Sequence, residues 1–486
     1  MTQTQFLLLL ISIIPFINAL TIKICEDSPK LVATFNKVFP LLFLINLIGI
    51  YGNLDRDNSY LVITEAARGI SLGFDIDRLA LGFLFLLNFF WIVFVFYSQR
   101  FLHLIQARNI QSLKIFFTLI IAFVNLIIIS KNLLSILFFY NCLIILCHFF
   151  SIKFLHKTET KFSNFFTFLL YFESIFFFLA IVATYKFTGQ IDFTEGGIIS
   201  DQIGVVKYRM LLILYLSGLF LSVIFPCYLL YRNINPDPLV LYSLFFLSYA
   251  LSSLYILVKI LIFTFGLESF SLMISKAGFA FFELVFLFNI AAVSVFLLFS
   301  KGLKSSFFYL LFQQFSVALF SIFLFATFNP DRIYLTLLSF PLSITLIFLC
   351  IANYVLYIHS AKNKSMVGLF YNLKITTILF IFAIANIIGI APGVGAVEKF
   401  FLLKVIFEKK LFLSGIIFII NFVSLGIFSW KIFYPLFLKQ SEPKPADDIN
   451  LAKDIDYDSS LILTALIVAI AIFLSLVFFP FLTDFL

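Results

Sequence analysis

Long stretches of this sequence carry no charged side chain. Ile115 to Ser130 and Leu461 to Leu482 are examples, and similar runs recur along most of the chain. A spanning α-helix needs about 20 mostly apolar residues, because the hydrocarbon core of a bilayer is about 30 Å thick. Composition agrees, with 62% hydrophobic residues, 12% charged residues and a mean hydropathy of +1.11. No water-soluble fold of this size has enough interior to hide so much apolar surface. Lipid must then be the solvent, and in hydrocarbon every backbone N–H and C=O needs an internal partner. Helices or a closed barrel satisfy that demand. Barrel strands alternate apolar and polar residues, and these runs do not. The sequence therefore predicts an all-α polytopic membrane bundle.

Runs bounded by charges, Pro and Gly place helices near 5–22, 36–51, 79–97, 112–130, 132–153, 163–185, 208–231, 238–264, 278–300, 305–328, 333–358, 373–391, 394–407, 411–436 and 461–482. That makes about 14 transmembrane segments, with neighbours antiparallel across short loops. Phe6 to Leu20 reads as the first of them and not as a cleaved signal, since no Lys or Arg precedes Lys23. The loops Arg100–Arg108, Lys153–Lys161, Lys301–Lys304 and Lys362–Lys374 are basic and are expected to face the cytoplasm. The acidic stretches Gly52–Arg78 and Lys186–Lys207 are expected on the opposite side. Lys439–Ser459 has the composition of a solvated linker or surface helix.

The net charge of +8 matches this orientation signal and not a nucleic-acid partner, because no basic block is long enough to track a phosphate backbone. Cys25, Cys142, Cys147, Cys227 and Cys350 are scattered and read as small hydrophobes, with no disulfide framework or metal-ligand spacing. The histidines do not cluster either, so no metal is expected. No phosphate loop, dinucleotide fingerprint or nucleophile triad is visible. Gly393-Val-Gly395 lies between apolar runs, where a helix break is expected and not a phosphate cradle.

An ionisable group within the hydrocarbon costs at least ~3 kcal/mol and is a functional hypothesis by default. The sharpest case runs from Gly389 to Lys404. Pro392, Gly393 and Gly395 interrupt a helix, and Glu398, Lys399 and Lys404 follow at once. A lysine held beside such a break in low dielectric can exchange protons, so Lys399 is the leading candidate. Glu173, Lys259 and Glu283 lie in other apolar runs, and Lys304 opens a helix. Glu283 is expected to face the interior with Lys276 as a partner. Helix-end and buried locations stay equally open for Glu173 and Lys259.

The order of these motifs resembles the antiporter-like membrane subunits shared by respiratory complex I and multisubunit sodium/proton (Mrp-type) antiporters, over about residues 70–436. Gly389, Pro392, Gly395, Lys399 and Phe400 occupy the places of that family's broken-helix motif, with Ala391 in place of one proline. Lys301 to Gln314 resembles its Asp-Leu-Lys-Arg helix entry, with Lys304, Tyr309 and Gln314 at matching positions. Asn132 to Tyr140 looks like the approach to its membrane glutamate. Thr188 to Phe193 is similar to its Thr-Gly-x-x-Asp-Phe loop, and Phe74 to Asp77 resembles the approach to its third helix.

The resemblance implies two inverted five-helix repeats, each with a broken helix, at Pro226 and Pro392. It divides the chain into N-terminal helices (1–110), a first repeat (111–265), a second repeat (266–436), and a linker with a last helix (437–486). It also implies a subunit of a proton- or sodium/proton-translocating complex in a bacterial or mitochondrial inner membrane, with lipid and other membrane subunits as partners. No cofactor is implied. Departures are specific: Asn141, Leu221, Tyr249 and Thr345 stand where the family places relay charges. Two functions follow. Lys399 works in a relay with Lys304, Lys259, Glu283 and Glu173, or the chain is a transport-incompetent structural subunit. A flippase or polysaccharide carrier would explain the composition but not the motif order.

Overall fold

Apolar runs that cannot leave a backbone group unpaired in lipid become helices, and they do so almost throughout. The computed structural model describes residues 3–53, 60–67, 70–104, 110–154, 157–199, 203–224, 242–277, 279–300, 302–360, 367–438, 456 and 459–477. The first helices are α1 (Gln3–Ile24), α2 (Pro29–Tyr51), α3 (Arg78–Leu104), α4 (Ile110–Ile128), α5 (Leu133–Phe154), α6 (Lys157–Thr188) and α7 (Val205–Phe220). Then α8 (Leu251–Ile260) continues π-helical turns over Tyr242–Ala250 and leads into Leu261–Phe265. They are followed by α9 (Leu267–Ala277), α10 (Phe279–Phe299), α11 (Leu303–Phe328), α12 (Ile333–Ser360), α13 (Lys374–Ile388), α14 (Val394–Glu408), α15 (Phe412–Phe437) and α16 (Ser459–Val477). Among the described residues, 11 helices are long and apolar enough to cross a membrane, and Lys374–Ile388 and Ser460–Leu476 are shorter apolar helices. The chain is an integral multi-pass membrane protein.

Burial decides which helices are central. The apolar windows of α11, α12 and Phe246–Phe265 are 100%, 94% and 89% buried, against 28% for α2 and 39% for α15. The first three form the axis, and the last two present Leu41, Ile45, Ile419 and Trp430 outward.

Antiparallel succession sorts the connections into two ends. At one end Gln111 donates to the Glu26 carbonyl, Lys153 Nζ reaches Ser112 Oγ at 3.1 Å, and Lys431 donates to the Leu298 carbonyl. At the other, Phe74 bridges Ser130, Asn132 bridges Asp192, and Ile198 N–H bonds the Thr264 carbonyl at 2.9 Å. The described residues flanking all four basic loops belong to the first end, and those of both acidic stretches to the second. This matches the charge rule for a cytoplasmic basic end. The exception is Glu408, Lys409 and Lys410, where Lys409 sits 5.1 Å over the Phe328 ring at the acidic end.

Two local expectations change. The acidic stretch before α3 holds an antiparallel hairpin, β1 (Leu61–Ala67) with β2 (Ile70–Phe74). Its β-branched Val62, Ile63 and Thr64 lie in a run too short to span, so pairing with β2 satisfies the backbone instead. In the polar stretch before α16 the one described residue, Asp456, is not solvated. It is 2% exposed and accepts from the Ile375 and Thr376 N–H groups at 2.9 and 3.0 Å, capping α13.

The two ends predict labelling. A cysteine at His103 (H103C) is expected to react with a membrane-impermeant maleimide only from the cytoplasmic face. A cysteine at Lys410 (K410C) is expected to react only from the opposite face. Labelling of both from one face would contradict this topology.

Candidate functional site

The apolar run 374–408 cannot continue as one helix, because Pro392 supplies no N–H and Gly389 takes a left-handed φ of +95°. The result is a broken helix: α13 stops at Ile388 and α14 starts at Val394. Asn386 fills the gap in the hydrogen bonding. Its Oδ1 accepts from Gly395 N–H at 2.9 Å, and its Nδ2 donates to Ser343 Oγ at 2.6 Å on α12. The approach is close enough that a Cβ on Gly395 would lie 2.1 Å from the Asn386 carbonyl oxygen. A Cβ on Gly389 would lie 2.9 Å from Lys399 Cγ, so the glycine there makes room for the lysine stem.

The second turn of α14 then carries Glu398 and Lys399, only 3% and 7% exposed. Lys399 Nζ is 3.2 Å from Glu398 Oε2. Glu398 Oε1 also accepts from Thr336 Oγ1 at 3.1 Å, and Oε2 from Ser339 Oγ, both on α12. A buried carboxylate needs such donors, since each unmet lone pair costs desolvation. Beside the pair lies a cavity of about 10 Å³, lined by Gln314, Phe340, Ser343, Asn386, Glu398 and Lys399 among others. That is room for about one water. The buried Nε2 of Gln314 has no partner among the described residues, which marks the cavity as polar.

Glu173 forms a second centre. It sits midway along α6, fully buried, which settles its location against a helix end. Its Oε1 accepts from Ser222 N–H at 2.5 Å, just past the end of α7, and from the Tyr249 hydroxyl at 3.3 Å. The one Tyr249 proton is shared between Glu173 and the nearer Leu219 carbonyl at 2.7 Å, and Tyr249 accepts from Ser222 Oγ at 2.9 Å. Position 141, on α5, neighbours this centre. Asn141 itself is half-buried and accepts from Ser174, the neighbour of Glu173.

Between the two centres stand aromatic rings. Tyr249 packs on Phe315 at 5.8 Å between centroids, Phe315 on Phe340 at 5.9 Å, and Phe340 lines the Glu398 cavity. Thr345 is buried on α12 with its hydroxyl given to the Pro341 carbonyl at 2.8 Å.

The other predicted residues lie elsewhere. Lys259, 2% exposed, is at the acidic end and pairs with Asp77 Oδ2 at 3.1 Å. It also donates to the Ser130 carbonyl at 3.2 Å, where α4 ends, a favoured place for a cation. Asp77 meanwhile accepts from Ala80 N–H at 2.6 Å and caps α3. Glu283 is buried between α10 and α15 and accepts from Ser414. Lys276 belongs to α9, a separate helix, and its side chain lies outside the described residues. Lys304 is half-buried in the first turn of α11, at the basic end. Pro226 lies outside the described residues. Of the predicted relay, Lys399 and Glu173 thus occupy polar centres within the bundle. Glu398, Thr336, Ser339 and Asn386 were not singled out, although the adjacency of Glu398 to Lys399 inside one apolar helix was the available signal.

The glycine geometry is testable. Gly395→Ala is expected to destabilise the protein by more than ~2 kcal/mol in a detergent thermal melt, by overpacking against backbone. Gly426→Ala is expected to be neutral, since nothing lies within 4 Å of the added Cβ. Equal melting of the two variants would contradict the broken-helix packing.

Known structures share this fold. A chain in the structure of the Mrp complex from Dietzia sp. DQ12-45-1b superposes with a TM-score of 0.75 at 14% identity, covering 100% of this chain and 96% of that one. A chain of the membrane-bound sulfane sulfur reductase, an archaeal respiratory membrane complex, gives a TM-score of 0.73 at 14% identity, covering 98% and 96%. A chain of respiratory complex I from Thermus thermophilus with bound aureothin gives 0.66 at 12% identity, covering 97% and 98%. No protein-family model and no curated protein sequence matches the chain. At these identities the likeness is one of fold, and it agrees with the resemblance read from the motifs.

Proposed function

We propose that the chain is a membrane subunit of a multisubunit complex that translocates protons, or exchanges sodium ions for protons, and that Glu398 and Lys399 are its proton-handling pair. The observation that carries this reading is the buried 3.2 Å ion pair at a broken helix, beside a water-sized polar cavity. In low dielectric each charge of such a pair holds the other. Glu398 offers a proton acceptor and Lys399 a proton donor 3.2 Å apart, beside space for a water. The hydroxyls of Thr336 and Ser339 stabilise the carboxylate state.

The fold shared with chains of the Mrp complex and of complex I supports the setting. Within it, residues 111–265 and 266–436 are read as two inverted repeats. Glu173, bonded to the backbone just past α7, is a buried acid of the first repeat, and Glu398 is one of the second. Lipid, other membrane subunits and protons or sodium ions are the partners in this reading.

One observation favours a second reading, a structural or assembly subunit. Phe315 and Phe340 separate the Tyr249–Glu173 centre from the Glu398 cavity, and no phenyl ring passes a proton.

Proton and sodium flux in proteoliposomes of the assembled complex separates the two. Glu398→Gln and Lys399→Ala are each expected to lower flux at least about a hundredfold, the low end of what a proton-transfer group contributes. Flux unchanged in both, with the complex intact, would remove the pair from transport and leave the assembly role.

A further inference from the structure

A second polar place has no part in that mechanism. At the basic end, α2, α3, α4 and the start of α16 enclose two adjoining cavities of about 310 and 330 Å³, which share Gln99 and His103 in their linings. Lys114 lines the first, Lys37 and Arg100 the second. Lys114 is 7% exposed. Among the described residues its ammonium meets no acceptor within hydrogen-bond distance, and Lys37 nearby offers only like charge. Lys37 Nζ in turn lies 5.2 Å over the Phe96 ring. The carboxylate that borders the first cavity, Glu26, is turned to Lys23 at 2.5 Å. Lys114 is also in the first turns of α4, whose unpaired N–H groups add positive potential at this end.

A nearly buried lysine without a counter-charge is costly, and three further cationic or protonatable side chains around the same space raise that cost. An anion in the cavity removes it. The cavity has the place of a lipid headgroup: it lies at the cytoplasmic end by the charge rule, beside Phe96, which is 36% exposed. The outward face of α2, with Leu41 and Ile45, continues from it along the path of acyl chains. Basic pockets between helices on that side bind anionic phosphate groups.

We infer that the cavity between α2, α3, α4 and α16 binds a phosphate group, with Lys114 as its innermost ligand and Lys37, Arg100 and His103 around it, and that the phosphate is that of an anionic phospholipid.

The test uses the full chain in a neutral detergent, with its thermal unfolding followed against added short-chain phosphatidylglycerol, short-chain phosphatidylcholine or inorganic phosphate. Phosphatidylglycerol is expected to raise the midpoint saturably, and phosphatidylcholine not. Lys114→Gln is expected to weaken the phosphatidylglycerol response about tenfold, the effect of one charge-assisted contact, while Lys114→Arg retains it. The arginine variant separates a lost ligand from a misfolded chain. A saturable, Lys114-dependent response to inorganic phosphate alone would keep the site and assign it to free phosphate. The inference is overturned if phosphatidylglycerol and phosphatidylcholine act alike, if no probe acts, or if the response survives Lys114→Gln unchanged.

Discussion

A charge taken out of water must be met by another charge or by oriented dipoles, and the interior of this bundle is arranged around that demand. Each buried acid solves it differently. Glu398 has Lys399 and two hydroxyls. Glu173 has a backbone N–H freed where α7 ends, together with a tyrosine. Glu283 has Ser414 from a neighbouring helix. The embedded Lys259 sits on Asp77 and on carbonyls at the end of α4. Glu398, Glu173 and Lys259 thus face places where a helix begins, ends or breaks, because intact helices in lipid have no backbone dipoles to spare.

The same logic explains why the break at Pro392 is tolerable. A proline and two glycines remove regular hydrogen bonds, and hydrocarbon offers no water in their place. Asn386 supplies both an acceptor and a donor, one to Gly395 and one to Ser343. That ties the break to α12, one of the two most buried long helices. The helix that carries Glu398 and Lys399 therefore shares a polar seam with the helix that carries Thr336 and Ser339. A shift of either would change the distances around the pair. The aromatic contacts from Tyr249 through Phe315 to Phe340 run across the same axis. The Glu173 and Glu398 centres are thereby separated by rings.

The motif segments in the first half have a shared structural task. Asp77, Asn132 and Asp192 come from three stretches far apart in sequence. Asn132 Nδ2 bonds Asp192 Oδ1 at 2.9 Å, and Lys131 pairs with the same aspartate at 3.3 Å. With Lys259 on Asp77, they lock the acidic-end connections to one another. In this region the residues of the motif segments join helix ends to one another.

The sequence by itself determined the solvent, the helices and the two ends. Apolar runs of spanning length admit no other backbone arrangement in lipid, and the Lys and Arg excess in alternate loops sorts those loops. It also determined the break at Gly389 to Gly395, since proline and glycine act locally. Tertiary structure decided the partners. Which charge faces which hydroxyl depends on helix rotation and crossing, and uniformly apolar helices give little periodic signal for either. So Glu398 meeting Ser339, Glu283 meeting Ser414 and Lys259 meeting Asp77 were visible only once the helices had packed.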